Sequence, residues 1–283
     1  MSDPQPHMKL GLIGGNIAAS RAPYLHGLSG AQAGISVTYD LLTPAELGKD
    51  FDAVFADCIA QGYRGINITY PYKEVAAGKV RVDDPNVRAI GAVNTVVFEA
   101  DGPRGFNTDY SGFVAAFRAT FGEVPPGRVC MLGAGGVGKA VAFGLVTLGV
   151  SELRLIDTDR PRAEALAAQL RIAAPAADFL VSDDVAAAAA GATGLVNCTP
   201  VGMVGYGGTP MPAALMRDAQ WAFDAVYTPI DTQFLGDAQL QGLQIMSGYE
   251  LFFHQGIDAW TIYSGHTADT AQLRAALQTI PAD

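Results

Sequence analysis

The sequence is poor in cysteine, histidine and basic residues, and it has no long uninterrupted apolar run. Its three cysteines, Cys58, Cys130 and Cys198, stand far apart in apolar surroundings. They can build neither a disulfide framework nor a CxxC metal pair, and they read as buried structural thiols. The four histidines, His7, His26, His254 and His266, form no HExxH pattern and no cluster with cysteine. No metal site is expected, and these histidines read as surface or packed residues. Lysine and arginine number 18 against 28 acids, a formal charge of −10. A nucleic-acid backbone or an anionic membrane would therefore meet net repulsion, although a local basic pocket for one small anion survives that argument. No apolar run approaches the roughly 18 residues of a membrane span. The opening MSDPQPHMKL also lacks the basic stretch and apolar core of a secretory leader. A cytoplasmic protein without nucleic-acid or membrane partners is expected.

What the chain does have is apolar bulk. Its 283 residues are 49% hydrophobic, enough for two domains with a sizeable core in each. Strand-like runs alternate with helix-like stretches, which favours parallel α/β layers. MKLGLIGG, VTYDLL and YRGINITYP read as strands, the last stopped by Pro71. YLHGLSGAQAG and the long PAELGKDFDAVFADCIAQG read as helices. EVPPGR, before a second α/β series, is the most plausible linker.

The strongest local motif is Gly133-Ala134-Gly135-Gly136-Val137-Gly138. Alone it is weak, but it lies between a strand, RVCML, and a helix, KAVAFGLVTLG. Asp157 ends the next strand, ELRLID, about 20 residues beyond the last glycine. Glycines there let the backbone approach a pyrophosphate, the helix N-terminus offers free N–H groups, and the carboxylate accepts from ribose hydroxyls. A carboxylate at that point also repels a 2′-phosphate, which favours NAD over NADP. The following DTDRPR leaves open that Arg160 or Arg162 turns toward a phosphate instead.

If residues beyond 109 bind a dinucleotide, the first hundred should supply substrate contacts and proton transfer. NITYPYKE (Asn67, Thr69, Lys73), GAVNTV (Asn94) and GFNTDYSG (Asn107, Asp109) each set polar side chains after an apolar strand. In α/β sheets that is the edge where ligands bind. Taken singly, the Asn and Asp residues could instead cap helices and turns, and Lys73 could be a solvated surface residue.

The order of these segments resembles a family. GLIGGNIAASRAPYLH, GINITYPYK, GAVNTVV, GFNTDYSGF, GAGGVGKA, NCTPVGM and SGYELFFHQGIDAW are similar, in sequence, to the motif series of the shikimate and quinate dehydrogenases, over roughly residues 10 to 265. IDTDRPR looks more like the NAD-using branch than the NADP-using one. The resemblance implies two α/β domains with a cleft between. Residues 1–108 and 249–283 would form the substrate-binding and catalytic domain, and 109–248 a Rossmann-type NAD-binding domain. It further implies that Lys73 and Asp109 are the catalytic pair, and that Ser20, Thr69, Asn94, Tyr227 and Gln255 contact the substrate. By the same resemblance Gly133, Gly135, Gly136, Val137, Gly138, Asp157, Arg162, Thr199, Val226 and Gly248 would bind the cofactor. Arg162 would sit at its adenosine end, and Val226 and Gly248 at the nicotinamide.

The implied activity is hydride transfer between NAD and a ring alcohol of a polyhydroxylated cyclohexane or cyclohexene carboxylate, quinate or shikimate, in a monomer or a homodimer. Two other readings stand beside it: the same reaction on a modified ring acid, and a metabolite and dinucleotide sensor without turnover. One departure bears on the choice. The family's Ser-x-Ser-Pro or Ser-x-Thr-Pro loop reads Ser20-Arg21-Ala22-Pro23 here, so one of two hydroxyls implied to hold the substrate carboxylate is missing. Water or Arg21 could replace it. Extended-loop alternation turns Arg21 away from the side that Ser20 faces.

Overall fold

A computed structural model describes residues 5–280. The chain divides into two compact units, Met1–Thr108 with Gln255–Asp283, and Asp109–His254.

The first unit opens with β1 (His7–Ile13), α1 (Ala22–Gln32), β2 (Ser36–Leu42), α2 (Phe51–Ala60) and β3 (Gly65–Ile68). It continues with α3 (Lys73–Ala77), α4 (Pro85–Ile90), β4 (Thr95–Glu99) and β5 (Gly102–Phe106). Its sheet has the order β2-β1-β3-β4-β5. β1 runs parallel to β2 and β3, but β3–β4 and β4–β5 are antiparallel, so the sheet is mixed where the sequence pattern suggested parallel layers throughout. The cause is local. No crossover helix separates β4 from β5, and Gly102, at φ 118, starts the return strand directly after Asp101. A second difference concerns the long helix expected from Pro44. Only Phe51–Ala60 is helical, because Gly48 takes a left-handed φ of 63 and the Asp50 side chain then accepts from the backbone N–H of Ala53 at 2.8 Å, starting the helix there.

The second unit follows: α5 (Thr108–Phe121), whose first residue closes the first unit, then β6 (Arg128–Leu132), α6 (Gly136–Thr147), β7 (Glu152–Ile156), α7 (Arg160–Ala173) and β8 (Asp178–Val181). It is completed by α8 (Val185–Ala189), β9 (Gly194–Asn197), β10 (Trp221–Asp224), α9 (Gln233–Leu240) and β11 (Gln244–Met246). Its six strands, in the order β11-β10-β9-β6-β7-β8, are all parallel. Strand order reverses between β6 and β9, the point outside whose carboxyl ends ligands bind in open parallel sheets. An aromatic ladder on α5, Phe113, Phe117 and Phe121, packs on Trp221 and Phe223 of β10 with ring centroids 5.1 to 5.5 Å apart.

α10 (Gly248–Ser264) carries the chain back into the first unit, and α11 (Thr270–Gln278) completes it. Trp260 and Tyr263 are fully buried in that unit's core. All three cysteines are free and buried. Desolvation pushes the Cys58 and Cys130 thiols up to about 12, so neither is a thiolate near neutral pH. Among the described residues no helix is long and apolar enough to cross a membrane, and no three His, Cys, Asp or Glu residues are grouped to hold a metal ion.

Candidate functional site

In the first unit the polar residues singled out from sequence gather at the carboxyl ends of β1, β3 and β5 and at the amino end of β4; Asn94 precedes its strand rather than following one, because β4 runs antiparallel to β3. The loop after β1 carries Ser20. It lies against the turn after β3, where Gly15 N donates to the Tyr70 carbonyl (3.0 Å) and Thr69 N donates to that of Ile13 (2.9 Å). A Cβ on Gly14 would stand 2.4 Å from Thr69 Cγ2, so only glycine lets these two segments meet. Lys73 begins α3, half-buried, and its carbonyl accepts from Val93 N at 2.9 Å, which ties it to the segment carrying Asn94. Asn94 is buried. Its Oδ1 accepts from the backbone N–H of Thr108 (2.6 Å), and the Thr108 hydroxyl lies within 3.3 Å of Gln255 Oε1. Asn107 Nδ2 donates to the Ala92 carbonyl at 3.0 Å, a loop-bracing role. Asp109, the next residue of α5 after Thr108, is buried as well.

Ser20 Oγ accepts from Ala22 N at 3.3 Å and so shapes the start of α1. Arg21 points elsewhere: its Nη2 donates to the carbonyls of Leu277 (2.7 Å) and Ile280 (3.2 Å) at the end of α11. The guanidinium thus fills the cation's place at a helix C-terminus rather than replacing the absent hydroxyl.

In the second unit the glycine loop joins β6 to α6. Gly133 needs its φ of 97, and a Cβ there would sit 2.6 Å from the Cys198 carbonyl. One on Gly138 would sit 2.2 Å from the Gly133 carbonyl. Gly135 and Gly136 instead face open space. α6 starts without a side-chain cap, so its first N–H groups and the positive end of its dipole are left for an anion. Val137 is half-buried in this first turn.

Asp157 is held hard. One oxygen accepts from Ala134 N of the glycine loop (2.7 Å), the other from Asp159 N (2.8 Å). Arg162 lies 3.6 Å from Asp157 and 3.1 Å from Asp159, and Arg160 pairs with Glu164 and Asp183.

Thr199 spends its hydroxyl within its own loop, donating to Asn197 Oδ1 (2.6 Å) and accepting from Val201 N (3.2 Å). Gly248 lies so close to the main chain after β10 that a Cβ would be 2.6 Å from the Val226 carbonyl. Tyr227 stacks on Phe252 with centroids 5.6 Å apart.

Sequence reading passed over the buried group behind this edge. Asp224, at the end of β10, accepts from Asn197 Nδ2 (2.9 Å), Val226 N (3.0 Å) and the Thr232 hydroxyl (2.7 Å). Desolvation raises its carboxyl to about 6, against the pull of those three donors. The signal was there: an acid closing the apolar strand WAFD. Thr95 and Thr108 in the first unit were missed because each looks like an ordinary strand or helix threonine.

Known proteins resemble this chain over nearly its whole length. Residues 12–96 match the model of the shikimate dehydrogenase substrate binding domain. A shikimate dehydrogenase (NADP(+)) of an Arthrobacter species is 35% identical over 286 residues, covering 97% of this chain and 96% of its own. A quinate/shikimate dehydrogenase (NAD(+)) of Corynebacterium efficiens is 36% identical over 277 residues, covering 96% of this chain and 98% of its own. Among solved structures, quinate dehydrogenase from Corynebacterium glutamicum in complex with NAD superposes with a TM-score of 0.90 at 33% identity, covering 97% of this chain and 100% of that one. At this identity over nearly full length, the chain belongs to the shikimate dehydrogenase family of oxidoreductases.

Proposed function

We propose that the protein is an NAD-dependent dehydrogenase acting on a ring secondary alcohol of a polyhydroxylated cyclohexane or cyclohexene carboxylate, with quinate and shikimate the first candidates. The first unit takes the ring acid and the second the cofactor. The fit of a dinucleotide rests on the open cradle at Gly135 and Gly136 and on the uncapped start of α6. The preference for NAD rests on one observation. Asp157 is fixed as a carboxylate acceptor at the end of β7, and both neighbouring arginines are already matched by acids: Arg162 by Asp157 and Asp159, Arg160 by Glu164 and Asp183. A carboxylate there hydrogen-bonds a ribose hydroxyl and repels a 2′-phosphate, and neither arginine is uncommitted to offset that repulsion.

The bound nicotinamide supplies the hydride acceptor. Lys73 takes the proton from the alcohol oxygen while the carbinol carbon loses hydride, so the alcohol becomes a ketone as NAD⁺ becomes NADH, and Asp109 completes the proton-handling pair. Thr69, Asn94, Gln255 and Tyr227 orient the ring through neutral hydrogen bonds, which fixes the carbon that reacts. Ser20 is left to hold the carboxylate without a second hydroxyl, since Arg21 is engaged with α11. Ala22 therefore favours a second reading, in which quinate and shikimate bind weakly and the preferred acid is modified at that end.

Reduction of NAD and of NADP by purified protein, measured over a panel of ring hydroxy acids, tests both. A kcat/KM with NADP equal to or above that with NAD would sink the cofactor preference. Dinucleotide binding without turnover of any ring acid would point to a sensor instead.

A further inference from the structure

A line of hydrogen bonds runs behind the substrate edge of the first unit and converges on the side-chain oxygen of Asn94. It starts where His26 stacks on Tyr39, ring centroids 5.1 Å apart. Burial pushes the Tyr39 phenol far above its usual value and His26 down to about 3, so near neutral pH the phenol keeps its proton and the imidazole is uncharged. Tyr39 donates to Asn67 Oδ1 at 2.8 Å. That turns Asn67 so that its Nδ2 donates to Thr95 Oγ1 (3.1 Å) and to the Asn94 carbonyl (3.3 Å). The Thr95 hydroxyl lies 3.1 Å from Asn94 Oδ1, placed to donate to it, and 3.0 Å from the Thr108 hydroxyl. The last contact settles the orientation: Asn94 Oδ1 accepts from the backbone N–H of Thr108 at 2.6 Å, and a backbone N–H can only donate. Turning the Asn94 amide over would set N–H against N–H.

We propose that this line makes Asn94 a donor-only contact, so that the ring substituent it meets must offer lone pairs, as a hydroxyl or carbonyl oxygen does, and an ammonium in that place is rejected. The inference rests on the reading above, in which Asn94 faces the ring. An ammonium has three donors and no acceptor, and an amide nitrogen cannot satisfy any of them. A site built to hydrogen-bond one polar group discriminates strongly against a mismatched one, because its buried groups are left unpaired. Thr95 and Thr108 are positioning residues in this scheme, since they act on the substrate through Asn94. A ring acid modified at the carboxylate end is compatible with a donor-only Asn94, whereas one carrying an amine at the ring position facing Asn94 is not.

The test uses shikimate and analogues in which each ring hydroxyl in turn is replaced by an amine. Their binding to the NAD-loaded protein at pH 7 is measured by calorimetry, and their turnover is measured beside it. At least one analogue should bind about a hundredfold more weakly than shikimate. Asn94→Asp keeps an inward oxygen for Thr95 and Thr108 and presents a second acceptor outward, so it should weaken the hydroxy acid and strengthen that same analogue, reversing the order. Every analogue binding the wild type within threefold of shikimate would overturn the inference, with no variant needed. A folded Asn94→Asp protein that keeps the original order would overturn it too. A wild type that binds ring acids with this selectivity but turns none over would instead defeat the dehydrogenase reading and leave the donor-only contact standing. Failure to bind any ring acid would defeat both.

Discussion

At the edge of the first sheet where β3 ends and β4 begins, the polar contacts run from side chain to side chain: Tyr39 to Asn67, Asn67 to Thr95, Thr95 to Asn94, with Thr108 between Asn94 and Gln255. At the edge of the second sheet the backbone does the corresponding work. Glycines clear the approach, main-chain N–H groups fasten Asp157, and a buried carboxylate, Asp224, gathers donors behind the loops. The difference matches what each edge is proposed to bind. A ring bearing several hydroxyls is told apart by the direction of individual hydrogen bonds, which side chains set one at a time. A pyrophosphate has the same shape in every dinucleotide, so a fixed backbone cradle suffices and only the ribose end needs a side chain to choose.

Substitutions that touch one edge alone should separate the two roles. The largest effect belongs to Lys73→Ala, which should lower kcat by roughly a hundredfold or more, the scale of a positioned acid–base group, while dinucleotide affinity measured by fluorescence stays near wild type. Retained turnover would move Lys73 out of the chemistry.

Asp224 comes next, and its effect is read in stability. Its carboxyl is raised to about 6 in the folded protein, above the ordinary value of 3.8. The folded state therefore holds this proton better than the unfolded chain. The resulting stabilisation is complete below about pH 4 and is lost as pH rises through 6. Relative to Asp224→Asn, the wild type should lose on the order of 2 to 3 kcal/mol between pH 4 and pH 7. Parallel denaturation curves for the two proteins across that range would contradict it.

Ala22→Ser restores a donor at the start of α1. It should reduce KM for quinate or shikimate roughly tenfold, the value of one charge-assisted hydrogen bond. A wild-type KM already in the low micromolar range, unchanged by the added hydroxyl, would mean that Ser20 suffices. The smallest change is expected from Asp157→Asn, which keeps one acceptor for the glycine loop but removes the charge. The ratio of kcat/KM with NAD to that with NADP should fall by about threefold to tenfold, that is, by about 0.6 to 1.4 kcal/mol. An unaltered ratio would place the choice of cofactor elsewhere.

How much of this could be read from sequence depended on the range of the interactions. The glycine loop, its flanking strand and helix, and Asp157 are contiguous or one strand apart, so spacing alone located them. The hairpin of β4 and β5 was obscured although Asp101-Gly102 is a strong turn signal, because the strands are only five residues each and Pro103 interrupts the second. The start of α2 was misread because Pro-Ala-Glu-Leu suits a helix, and only the backbone at Gly48 ends that option. Loop alternation correctly turned Arg21 away from Ser20, but its partners, like the role of Thr108, were beyond reach for a different reason. Leu277 lies 256 residues from Arg21 and Gln255 lies 147 from Thr108, and such contacts exist only once distant parts of the chain are brought together.

The clasp between α1 and α11 has a consequence for synthesis. Gln32 exchanges two hydrogen bonds with the main chain of Asp269 at the start of α11, while Arg21 grips the carbonyls at its far end, so the helix is pinned to α1 at both termini. Leu273 and Leu277 on α11 are fully buried beneath it. As the ribosome delivers the chain, the whole second unit emerges before this helix does, so the first part to be translated is the last to be finished. Until then the loop bearing Ser20 lacks the anchor of its neighbouring arginine. Chains cut short before α11 should be protease-sensitive in their amino-terminal third while residues 109–254 resist digestion.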